Sequence, residues 1–271
     1  MASLTRRFAL AATALAFLLL VMPALASAAI TVTNTNDTGA GSLRAAITTA
    51  NGSPTVATTI NFSVSGTITL GSALPAIANS SPNGSLTIDG SGQAITVYGV
   101  SSYQIFSVNS GATLNLRNLT INDGLAATDG GGADNAGILT VTNCTFSDNF
   151  ADLGGGIDNE VGGTLTVTNT TFAGNVTPNG LGGGISNDGG MTVTNSTFSN
   201  NSTGGGEGGG IYSDTMLTVT NSTFSGNSAT GGLGGGGIQR RRRDAEGQRS
   251  GRRIRWELRF FLSDRRRLQH L

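Results

Sequence analysis

The chain has 271 residues, with 16 basic and 16 acidic side chains, 42 glycines and one cysteine. The zero net charge hides two opposed compositions. From Ile30 to Ile238 there is no Lys or His, and two Arg (Arg44 and Arg117) face 12 acids, a net of −10; from Gln239 onward 12 Arg face 4 acids. So acidic a body excludes a nucleic-acid binder, whose affinity rests on Lys and Arg contacts to phosphate. Cys144 alone excludes an internal disulfide, so an exported chain of this kind must draw its stability from another source.

In chain order, the first element is an export signal. Arg6 and Arg7 precede an apolar run from Phe8 to Leu25, interrupted by Thr13 and Pro23, and small residues continue through Ala29. A positive start, an apolar core and an A-x-A-like end define a secretory leader, assigned to residues 1–28. After its removal no membrane span is expected, and the product is placed outside the cell, secreted or on the cell surface or outer membrane. Next, Ser42 to Asn51 reads as a short helix. Ser42 is its N-cap, and Leu43, Ala46, Ile47 and Ala50 share one face. It is expected to cap the open end of a stack of strands.

The central part of the chain is a repeat. Leu139-Thr-Val-Thr-Asn-Cys-Thr-Phe146 returns from Leu165 to Phe172, from Met191 to Phe198 and from Leu217 to Phe224, each time 26 residues on. Phe146, Phe172, Phe198 and Phe224 keep that interval; so do Asn143, Asn169, Asn195 and Asn221, and so do Asn149, Asn175, Asn201 and Asn227. A divergent copy runs from Leu114 to Ile121, and a Gly-rich stretch ends in Ile157, Ile185 and Ile211. Leu-Thr-Val-Thr alternates apolar and hydroxyl residues, the period-2 pattern of a strand with one buried face. One unit is too short to close a core, so units stack at about 4.8 Å. The prediction is an all-β, right-handed parallel β-helix with about 26 residues per coil. The phenylalanines should stack inward and the asparagines should form a ladder at a turn that tolerates left-handed backbone. Asn143, Asn169, Asn195 and Asn221 each open an N-x-T sequon, but the fixed interval favours the structural ladder. The Gly triplets are expected to form wide corners.

These residues resemble known families. Gly155-Gly156-Ile157 with Phe172-Ala-Gly-Asn175 resembles the repeats of polymorphic outer-membrane proteins. Gly41-Ser-Leu-Arg-Ala-Ala-Ile47 is similar to the CSLREAI motif that opens many exported β-helix proteins, with Gly41 in place of Cys and Ala45 in place of Glu. The resemblance spans roughly residues 30 to 238 and implies a pectin-lyase-like fold; it does not imply chemistry.

Among the acids, Asp148, Asp152, Asp158 and Glu160 crowd two neighbouring coils. They are the candidates for paired carboxylates or for calcium ligands, although no EF-hand or nonapeptide calcium motif is present. Asp148 falls in a slot that holds Gly174, Asn200 and Gly226 in other coils, which marks a turn; Asp158 aligns with Ser186 and Tyr212. A lyase needs a basic group, and Arg44 and Arg117 read as a cap residue and a solvated strand residue. The outward Thr140/Thr142, Thr166/Thr168, Thr192/Thr194 and Thr218/Thr220 pairs could order water or ice, yet Thr is favoured on any solvated sheet. The expectation is therefore a non-catalytic surface protein acting as spacer, adhesin-like element or surface-layer component. No organic cofactor is expected, and its partners would be surface or extracellular glycans or proteins. The alternatives are a polysaccharide lyase or hydrolase on the same fold, or an ice- or calcium-binding solenoid.

Residues 29–111 are thus assigned to the cap and first coils, 112–238 to regular repeats, and 239–271 to an Arg-rich tail expected to be disordered. The abrupt change after Gly237 suggests a frameshift. Read from the second base of each codon, Trp256 must become Gly, Glu257 must become Asn or Ser, and an F-x-G-N-S-A pattern like Phe224 to Ala229 reappears. Sequencing the gene decides it: a stop in the shifted frame within a few codons of Gly237 would sink the idea.

Overall fold

The structure is a computed structural model that describes residues 28–78, 84–231, 234–242 and 256–260. The expected export signal lies outside these residues except for Ala28, which opens the first strand, Ala28–Val32. The coils run in sequence through three long parallel sheets, with a short fourth one formed by Val176–Thr177, Ser202–Thr203 and Ser228–Ala229. The first sheet contains Ala28–Val32, Thr58–Phe62, Leu86–Asp89, Thr113–Arg117, Ile138–Thr142, Thr164–Thr168, Gly190–Thr194 and Leu217–Thr220. The second has seven strands, from Gly66–Thr69 to Thr223–Ser225; the third runs from Phe106–Val108 to Gly237–Arg242. Every pairing between successive coils is parallel, and the winding is a right-handed β-helix of about 8 turns.

The interior arises from the alternation. Leu165 and Val167 are fully buried while Thr166 and Thr168 between and beyond them face out. Each inward residue meets its own kind in the next coil: Val141, Val167, Val193 and Val219 are register partners. The phenylalanines stack as expected, with ring centroids 5.1, 4.8 and 4.8 Å apart along Phe146, Phe172, Phe198 and Phe224. A second interior column is one that its interval alone does not place. Asn149, Asn175, Asn201 and Asn227 lie inside the coil, and each side-chain amide donates to the carboxamide oxygen of the next, at 2.9, 2.8 and 2.9 Å.

The Gly triplets form tight corners, where wide ones were expected. A Cβ on Gly156 would lie 2.5 Å from the Gly184 carbonyl oxygen and 3.0 Å from the Phe172 ring; Gly184 and Gly210 stand likewise against Phe198 and Phe224. The two halves of the repeat motif therefore touch. Glycine is required because the aromatic stack occupies the space where a side chain would go.

The regularity also has exceptions. Leu114 pairs Leu139 across 25 residues, Ala133 pairs Ile157 across 24, and Ile157 pairs Ile185 across 28. The loop around Asn179 is longer, and the turn after Asn187 is shorter by the same amount, so the phenylalanines keep their interval of 26.

At the N-terminal end, helix α1 (Leu43–Asn51) buries Leu43, Ala46, Ile47 and Ala50, and Ser42 caps it by accepting from the Ala45 amide. Arg44 is a structural tie. Its guanidinium donates to the carbonyls of Ser72 (2.7 Å) and Ala73 (2.6 Å) and to Asp37 Oδ1 (2.5 Å). Arg44→Ala leaves these acceptors without their cation, and the expected loss is about 2 kcal/mol. Hydrogen exchange should quicken in α1 and at residues 71–74 while the later coils stay protected.

At the other end, Gly237–Gln239 occupy the next register position beside Ile211–Ser213. Two segments at the start and within the tail are described: Gly237–Arg242 continues the third sheet, and Trp256–Phe260 pairs with it in antiparallel register. An edge strand offers unpaired N–H and C=O groups, which any later stretch of chain can use whatever its side chains. The remaining tail residues lie outside those described.

Candidate functional site

The four expected acids do not form one site. Asp148 is exposed at the corner that closes the second sheet, with φ of 56°, and Gly174, Asn200 and Gly226 hold the same left-handed conformation one, two and three coils on. It is a turn residue, as its alignment suggested. Asp152 is exposed in the following loop. Asp158 and Glu160 sit together on the third sheet, joined by two acids the sequence reading missed, Asp134 and Asp129.

Backbone register explains the grouping. Asp134 pairs Asp158, which pairs Ser186, which pairs Tyr212. A second acidic column stands two residues further along: the Glu160 amide donates to Asn135, the Asp188 amide to Asn159 and the Asp214 amide to Asn187, so these three acids occupy successive coils. A signal for Asp134 was present. Gly130-Gly-Gly-Ala-Asp-Asn135 matches Gly154-Gly-Gly-Ile-Asp-Asn159 at an interval of 24, outside the 26-residue comb. Beneath both columns Asn135, Asn159, Asn187 and Ser213 are buried and linked, with amides donating at 2.6, 2.6 and 2.8 Å.

The electrostatics of this face are one-sided. Carboxylates on neighbouring strands, about 4.8 Å apart, repel by roughly 3.5 kcal/mol at an effective dielectric near 20. Burial, reinforced by Glu160 and Asp158, pushes Asp134 up to about 7; burial, with Asp129, Asp188 and Glu160 adding, pushes Asp158 up to about 7 against a lowering hydrogen bond from Ser186. Burial and then Asp214 raise Asp188. Asp158 is 4% exposed, and the buried Oδ1 atoms of Asp134 and Asp158 have no hydrogen-bond partner.

A folded pKa above the unfolded value of about 3.9 means the unfolded chain releases its protons first. Stability should therefore fall as pH rises from about 4 through 7. Asp158→Asn should flatten that fall in melting scans from pH 5 to 8.5; a slope equal to wild type would refute the assignment.

For metals, no group of three or more His, Cys, Asp or Glu side chains is placed to hold an ion among the described residues. Arg117, exposed, is the register partner of Asp89 and Thr142. Cys144 is buried at the corner between the first two sheets, and burial holds its thiol up at about 11, far from thiolate. On the opposite faces Thr140, Thr166, Thr192 and Thr218 are in register, as are Thr142, Thr168, Thr194 and Thr220. Asn143, Asn169, Asn195 and Asn221 all have φ near 50° and occupy an exposed corner, where Asn169 donates to Asn143 at 3.2 Å and Asn143 to Asn118 at 3.3 Å.

Residues 195–214 match the Chlamydia polymorphic membrane protein repeat. They include Phe198 and Asn201 from one half of the repeat motif and Gly209-Gly210-Ile211 from the other; Phe198 packs against Gly184 of the preceding glycine corner and Gly210 against Phe224 of the next phenylalanine rung. The chain is a β-helix repeat protein. No curated protein matches its sequence. Among solved structures it is similar to jun a 1, the major allergen from cedar pollen, at 20% identity and a TM-score of 0.43; the match covers 71% of this chain and 64% of that one. Among the described residues of this β-helix repeat protein, no helix is long and apolar enough to cross a membrane.

Proposed function

We propose that the chain is a non-catalytic repeat protein of the bacterial-type cell surface or outer membrane, reached by export, that acts as a rigid spacer or adhesin-like scaffold toward extracellular glycans or proteins. One observation carries this reading. On the first and second sheets from Leu139 to Phe224, inward and outward slots repeat closely similar residue types in register, so on those two faces no coil is singled out for chemistry. The repeat match to a membrane-protein family supports the location. Expressed with its leader in a Gram-negative host, the protein should be shaved from intact cells by added protease; retention in the cytoplasm would overturn the placement. The pure protein should release no unsaturated products from polygalacturonate, with or without calcium, and reproducible release would end the non-enzyme reading.

The second reading, a glycoside hydrolase, draws on Asp134, Asp158 and Glu160. Carboxyls that hold protons near pH 7 are suited to general acid work. It requires that new reducing ends appear from a neutral or acidic glycan and vanish in Asp158→Asn.

A further inference from the structure

The coils change their cross-section between the third and fourth turns. Five residues, 90–94, turn the corner between Leu86–Asp89 and Ile95–Tyr98; Asn118 alone turns the next corner, and Asn143 with Cys144 the one after. The long corner overhangs the short ones and leaves a groove of about 310 Å³ lined by Gln93, Thr96, Asn118, Thr120, Asn143 and Thr145, along with the edges of Ala94, Ile95 and Leu119. Its polar lining carries no charge. It lies along the second sheet and its corner with the first, whereas the acidic columns belong to the third.

The lining is also organised. Thr96, Thr120 and Thr145 are register partners in three successive coils, and their hydroxyls make no hydrogen bond among the described residues. Gln93 Oε1 accepts from Ser65 Oγ at 2.5 Å, and its amide nitrogen makes no hydrogen bond among the described residues. Asn118 is fixed by donating to Asp89 (2.9 Å) and Ser91 (2.8 Å), and its oxygen accepts from Asn143. Tyr98 stands beside this row. It faces out from the same strand as Thr96, two residues on, in a chain with 3 Tyr and 1 Trp. Asp123 next to its hydroxyl raises the phenol pKa.

We propose that this groove is a binding subsite for a neutral saccharide, with Tyr98 as the platform for an apolar sugar face and Gln93 and the threonine row as partners for its hydroxyls. The chemistry selects the ligand class. A pocket near 300 Å³ with a few convergent polar groups suits a small ring. Uncharged amides and hydroxyls pair with sugar hydroxyls and offer a carboxylate or phosphate no cation. Tyrosine presents an apolar body with a polar tip. A body of net −10 further disfavours uronates.

The proposal deepens the scaffold reading by giving it a glycan partner. The test is binding of the purified full chain to a printed array of neutral and uronate-bearing oligosaccharides, followed by titration calorimetry with the best neutral probe. Retention of neutral glycans is expected, weakened about tenfold or more by Tyr98→Ala and by Gln93→Ala with the melting temperature unchanged. Thr218→Val, on the first sheet, should bind like wild type. No retention of any neutral glycan, retention of uronates alone, or neutral binding that survives both groove substitutions would overturn the subsite. None of these results bears on surface placement or on the absence of glycan cleavage, which stand or fall by their own assays.

Discussion

Replacing Phe198 by Ala should cost about 3–5 kcal/mol, because it removes a fully buried ring from the middle of a stack. Phe198 lies 4.8 Å from both Phe172 and Phe224, nearly parallel to each. The cavity cannot collapse easily: its rim is backbone, including Gly184, whose Cα holds its place in a parallel ladder. Because coils contact only their neighbours, the loss should appear first as local opening. Urea unfolding should show an earlier midpoint, and thermolysin should cut between the third and fourth phenylalanine rungs before the rest. Unchanged protease resistance would count against the stack as a source of stability.

A loss of similar size, about 3–6 kcal/mol, is expected for Asn175→Ala. The Asn175 side chain accepts from the Asn149 amide (3.1 Å) and Asn149 Nδ2 (2.9 Å) and donates to Asn201 Oδ1 (2.8 Å) and the Phe146 carbonyl (3.0 Å). All of this is buried. Alanine orphans two or three groups at roughly 1–3 kcal/mol each. Asn175→Asp separates hydrogen bonding from volume. A carboxylate sets a third acceptor against Asn201 Oδ1 and the Phe146 carbonyl, whereas a protonated carboxyl can still donate once. The Asp variant should be severely destabilised at pH 8 and partly recover at pH 4; melting scans at the two pH values read the difference. Equal melting at both would show that the ladder is packing alone.

Both columns illustrate what the residues disclosed. The 26-residue interval was legible because each coil buries the same side chains, and that constraint leaves a periodic trace. The cap helix was legible from Ser42 and the Leu43, Ala46, Ile47, Ala50 face. The interior role of Asn149, Asn175, Asn201 and Asn227 was not, since an asparagine at a fixed interval reads equally as an exposed turn, which is what Asn143 and its partners are. The acidic face escaped for a different reason. Asp134 is brought beside Asp158 by a coil two residues short, so a comb with the wrong tooth spacing passes over it. The groove beside Gln93 arises from a change in corner length, and only the stacked coils reveal what an extra three or four residues overhang.

The near-identity of rungs raises a question of addressing. Leu165, Met191 and Leu217, or Phe172, Phe198 and Phe224, are interchangeable to a strand seeking a partner. A slip by one whole coil would preserve almost every interior contact and leave a 26-residue loop outside. On the first and second sheets, side-chain chemistry in the later turns hardly tells one rung from the next. The first turns can: α1, the Arg44 tie and intervals of 30, 28, 28 and 25 along the first sheet occur at that end. The irregular end is the origin from which the others are counted, and a chain delivered with that end leading would meet each rung in turn with its predecessor already in place.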